Sequence, residues 1–82
     1  MSDFEKRRLE AEFKKFTSRN FESPSNCRNI DQIQFYVKEL CNKINEYETR
    51  FSYVPSWAYS LLAQYNQAQN NLLYVDFQKA YA

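Results

Sequence analysis

The chain contains no glycine and no histidine. Without glycine there is no P-loop, no GxGxxG turn and no regular EF-hand loop, because each needs backbone freedom that only glycine supplies cheaply. Without histidine there is no Ser–His or Cys–His couple, no histidine-ligated metal and no C2H2 finger. The two cysteines, Cys27 and Cys41, are too few for a disulfide framework or a zinc site. No run approaches the roughly 18 consecutive apolar residues of a transmembrane helix. The opening MSDFEKRRLEAEF lacks the apolar stretch of a secretory signal. These absences predict an intracellular, cytoplasmic protein with no metal, no cofactor, no membrane span, no small-molecule substrate and no catalytic residues.

What is present is aromatic. Seven Phe, seven Tyr and one Trp stand among 82 residues, in a length that suits one small domain over residues 1–82 with a marginal core of its own. Eleven bases against ten acids leave a net charge of +1, which gives no global electrostatic argument for a nucleic acid or an anionic membrane.

With glycine absent, Pro24 and Pro55 are the main punctuation, and they divide the chain into three blocks. Asn20 and Asn26 are the expected occupants of left-handed positions in place of glycine. The first block opens with Ser2-Asp3-Phe4-Glu5, a capping-box pattern, followed by Phe4, Leu9, Phe13 and Phe16 in one amphipathic stripe; it predicts a helix over 3–19. A linker covers 20–28. In the second block Ile30, Ile33, Val37, Leu40, Ile44, Tyr47, Phe51 and Val54 follow a 3-4-3-4 spacing, predicting a helix over 29–53. Tyr36 and Cys41 widen that stripe beyond a coiled-coil seam, which suits a bundle helix and a buried, inert Cys41 thiol. The third block starts at Pro55, acceptable in a first helical turn. It repeats the spacing at Ala58, Leu61, Tyr65, Ala68, Leu72 and Val75, predicting a helix over 56–80. The expected fold is all-α: helices two and three form an antiparallel hairpin, with the first helix across its apolar groove.

The carboxylates read as a solvated face, with Glu39–Lys43 and Glu46–Arg50 as i, i+4 pairs. Two binding surfaces suggest themselves instead. Around the third helix, Leu73, Phe77 and Ala80 point away from the hairpin seam, with Tyr74 and Tyr81 beside them. Phe35, Tyr53 and Tyr59 also fall off the core stripes. Surplus aromatic surface of this kind marks protein contacts. The predicted interface is therefore Phe35, Tyr59, Leu73, Tyr74, Phe77 and Tyr81, unless the first helix packs over the third-helix residues. The function read from it is non-catalytic docking, as a small adaptor, inhibitor or regulatory subunit that binds another protein and self-associates as a homodimer. The alternative is a nucleic-acid-binding regulator that uses Lys6, Arg7, Arg8, Lys14 and Lys15, although Glu5, Glu10 and Glu12 interrupt that cluster.

Overall fold

A computed structural model describes the backbone of residues 2–81 and the side chains of residues 2–74. It is all-α, with three helices and no strand among the described residues. Helix α1 spans Asp3–Asn20, α2 Ile30–Phe51 and α3 Ser56–Tyr81, and a 3-10 turn at Pro24–Asn26 interrupts the linker.

Local chemistry explains each boundary. Ser2 caps α1 by accepting the Glu5 N–H at 3.2 Å, as the capping pattern predicts. The Phe21 N–H closes the last turn on the Thr17 carbonyl at 3.0 Å. Asn29 caps α2 in the same way, accepting the Gln32 N–H at 3.2 Å. The left-handed residue is neither Asn20 nor Asn26 but Ser52, which ends α2 at φ 53°. Asn20 instead stays helical and donates its side-chain amide to the Phe16 carbonyl at 2.8 Å, while Asn26 belongs to the 3-10 turn. The hairpin must reverse within Ser52–Pro55, and a left-handed residue just past the helix end is a common way to turn the chain there. Pro55 is buried immediately ahead of α3, with its carbonyl accepting the Ala58 N–H at 3.0 Å.

Helices α2 and α3 pack directly on each other. Ala58 is wholly buried between larger neighbours, and its small side chain lets the backbones approach. The α2 stripe is buried at Ile33, Leu40, Ile44 and Tyr47, and Tyr36 widens it as expected. The α3 stripe is buried at Ala58 and Tyr65 and half-buried at Leu61, Ala68 and Leu72; the Val75 side chain lies outside the described residues.

Helix α1 lies across one face of this hairpin through rings. Phe13 is fully buried and meets Tyr47 and Trp57 edge-on, with centroids 5.0 and 5.4 Å away. Phe21 meets Tyr36 at 4.8 Å and Tyr65 at 6.0 Å. The Tyr65 hydroxyl donates to the Glu22 carbonyl, tying the linker to α3. Tyr53, expected to be surplus surface, is half-buried and donates its hydroxyl to Glu10.

Two side chains depart from expectation for a geometric reason. Phe4 is 76% exposed, because nine residues at about 100° each carry it to the far side of α1 from Phe13. Thr17 takes the place on the buried stripe instead. Cys41 is exposed and Cys27 is the buried thiol. Cys41 lies about 100° around α2 from the fully buried Leu40, past the edge of the stripe.

The molecule measures 55 × 20 × 16 Å. Leu72 lies level with the start of α2, sharing a surface depression with Arg28, Asn29, Ile30 and Asp31. Helix α3 continues beyond Leu72 to Tyr81.

Candidate functional site

The hairpin has two faces, and α1 covers one of them. On the open face, helical phase brings Ile30, Val37 and Cys41 of α2 beside Tyr59, Leu62 and Leu73 of α3. Ile30, Val37 and Leu62 are half-buried, while Tyr59 is 47% and Leu73 46% exposed. The Tyr59 hydroxyl donates to Glu48 at 2.9 Å, crossing this face. That bond, before burial or the Glu48 charge, raises the Tyr59 pKa.

The predicted interface residues do not form one patch. Tyr59 and Leu73 share the open face, separated by about 21 Å of helix. Phe35 is 56% exposed on the flank of α2 beside Tyr36. Tyr74 is 64% exposed and lies about 180° around α3 from buried Tyr65. The side chains of Phe77 and Tyr81 lie outside the described residues. Helix α1 does not cover Leu73, since it packs on the opposite face.

The basic cluster splits as well. Lys6 is exposed but lies on the Tyr53 side of α1, its ammonium 5.8 Å from the centre of that ring. Arg7, Arg8, Lys14 and Lys15 are all exposed, and Arg19 joins them on the outer face. None of these five forms an ion pair with a described residue; the ion pairs there join Glu46 to Lys43 at 3.4 Å and to Arg50 at 3.1 Å. Lys43 thus pairs with Glu46 rather than Glu39, and its ammonium also sits over the Phe16 ring. Hydrogen bonding from Arg50, then the Lys43 charge, lowers the Glu46 pKa. Along α1 the acids Asp3, Glu5, Glu10 and Glu12 fall on the flanks, leaving the outermost arc to Phe4, Arg8, Ala11 and Lys15, while Arg7, Lys14 and Ser18 turn toward the α3 side.

Between α1 and α3 lies a cleft of about 420 Å³, lined among others by Lys14, Ser18, Trp57, Ser60 and Gln64. No acid lines it. Sequence reasoning missed this site. Its signal was nonetheless present: Trp57, Ser60, Gln64, Gln67 and Asn71 recur at 3-4-3-4 spacing, a polar stripe beside the apolar one.

The buried thiol offers little reactivity. Burial first, then the Glu22 carboxylate, pushes the Cys27 pKa up, and its sulfur lies 3.4 Å from the Ser23 carbonyl. Among the described residues no group of three or more His, Cys, Asp or Glu could hold a metal ion. No helix there is long and apolar enough to cross a membrane.

Comparison with protein-family models, with curated proteins and with solved structures found no match. The functional reading therefore rests on geometry and chemistry alone.

Proposed function

We propose that the protein works without catalysis, as a docking module of the adaptor, inhibitor or regulatory-subunit kind, and that a second copy covers its open hairpin face. The observation that carries this reading is the half-exposed apolar row Ile30, Val37, Leu62 and Leu73 on the face α1 leaves bare. Covering the exposed half of such a side chain is worth about 1 kcal/mol, roughly half the 1.5–3 kcal/mol of full burial, and a chain of this length has only about 4–12 kcal/mol of stability in total.

The spacing of the face suits self-pairing. Asn66 lies seven residues from both Tyr59 and Leu73, and on the same side of α3. A twofold axis at Asn66 brings Tyr59 of one copy against Leu73 of the other and sets the two Asn66 amides face to face, where each can donate and accept. The result is a core of four helices, α2 and α3 from each copy, with the two α1 helices outside.

Light scattering at tens of micromolar tests this. The wild type is expected at twice 9.9 kDa, and Leu73→Glu at the monomer mass with its helical circular dichroism intact. A monomeric wild type overturns the proposal. An oligomer that survives both Leu73→Glu and Tyr59→Lys overturns the choice of face.

A further inference from the structure

We propose that the cleft between α1 and α3 binds one nucleotide of a single-stranded nucleic acid, with the base against Trp57 and a phosphate on Lys14. This site lies on the α1-covered side of the hairpin and does not depend on self-association.

Three observations converge on that ligand. The cleft, at about 420 Å³, has room for one base with its sugar. Trp57 lines it, held at right angles to buried Phe13 with centroids 5.4 Å apart. An aromatic ring fixed by packing offers a stacking surface without losing rotamer freedom on binding. Ser60, Ser18 and Gln64 border the same space, and their hydroxyl and amide groups can donate to or accept from the edge of any base.

Charge selects an anion. Lys14 stands on the rim with no acid among the cleft residues. Arg7, two helical turns earlier on the same side of α1, is exposed and unpaired with any described acid. Glu10 on that side keeps its charge, but its carboxylate is turned to the Tyr53 hydroxyl. A backbone running along α1 would place successive phosphates near Arg7 and Lys14. A duplex is excluded by shape, because only an unpaired base can enter between two packed helices and lie on the indole. Gln64 also borders a neighbouring depression with Gln67 and Asn71, whose amides can meet a longer strand. Glu22 lines the depression on the other side and sets a limit there to the phosphate path.

Trp57 is the one tryptophan in the chain, so its emission reports on the site directly. The experiment titrates the full chain with oligothymidylate and oligouridylate of about 12 nucleotides, a length within the usual single-strand footprint. Trp57 emission and the anisotropy of a labelled strand are read at about 50 and 200 mM salt. Saturable quenching is expected, with Lys14→Glu and Gln64→Ala each weakening binding, the former by about tenfold. Lys14→Glu should also reduce the salt slope by about 0.7, the value for one single-strand phosphate contact. Lys14 and Gln64 are exposed, so both variants keep the core, and Lys38→Glu on exposed α2 surface should bind as wild type. Absence of binding up to about 100 μM at the lower salt overturns the proposal. So does binding that leaves Trp57 emission unchanged, binding equally weakened by Lys38→Glu and Lys14→Glu, or a preference for duplex of the same length.

Discussion

The two faces of the α2–α3 hairpin are built from different side chains. The face under α1 is closed by rings: Phe13, Phe21, Tyr36, Tyr47, Trp57 and Tyr65 meet mostly edge to face. The other carries aliphatic residues and amides with a single described ring, the exposed Tyr59 at one end, and is half-buried at Ile30, Val37 and Leu62. Rings are wide enough to fill the space between helices whose backbones stay apart, which is how α1 closes a core while leaving a cleft beside Trp57. Aliphatic side chains seal only a close contact, so the second copy proposed for the open face would have to come directly onto it.

Removing a ring from the covered face tests this contrast most severely. Phe13→Ala should lose about 3–5 kcal/mol of stability, the usual range for a fully buried Phe, read as a lower urea midpoint. That loss is a large part of what the chain possesses. If the loss were below about 1 kcal/mol, the covered face would not be the core.

Alkali probes the same face through its hydroxyl. Burial, and then the neighbouring Cys27, Tyr36 and Glu22, push the Tyr65 pKa from 10.0 up to about 12. The unfolded chain therefore loses this proton first as pH rises, so stability is fully present below pH 10 and falls between about pH 10 and 12, by about 2–3 kcal/mol. Urea unfolding at several pH values should show that decline. Tyr65→Phe should shrink it, leaving the part due to Tyr47, Tyr53 and Tyr59, whose pKa values are also raised, at a loss of about 1 kcal/mol near neutrality from the hydrogen bond to the Glu22 carbonyl.

On the open face the effect should be smaller and of a different kind. Leu62→Ala is expected to destabilise by about 1–2 kcal/mol, less than a fully buried leucine. If the proposed dimer forms, the shift in melting temperature should grow with protein concentration, because a contact between copies is lost. A concentration-independent loss as large as that of Phe13→Ala would erase the distinction between the faces.

The smallest effect belongs to the turn that joins them. Ser52 holds φ 53°, a conformation disfavoured for any residue with a Cβ. Ser52→Gly should raise stability by about 0.5 kcal/mol, since relief of that strain is partly offset by the greater freedom of glycine in the unfolded chain. Differential scanning calorimetry resolves the change.

Much of this architecture was legible in the sequence, because helix formation and helix faces are local. The Ser2 and Asn29 caps, the 3-4 stripes of α2 and α3, and the break at Pro55 follow from spacings within one or two turns. So does the exposure of Phe4 and Cys41, once each is placed at about 100° per residue rather than grouped with the nearest apolar stripe. Tertiary structure alone decided what one helix presents to another. It set α1 on the face away from Leu73, turned Tyr53 onto Glu10, drew Lys43 over Phe16, and paired the Tyr65 hydroxyl with a carbonyl 43 residues away. It also opened the cleft beside Trp57, which depends on the width of rings packed between helices distant in sequence. Periodicity identifies which side of a helix is buried, but not which neighbour buries it. That choice depends on the shapes of side chains that meet only after the chain has folded.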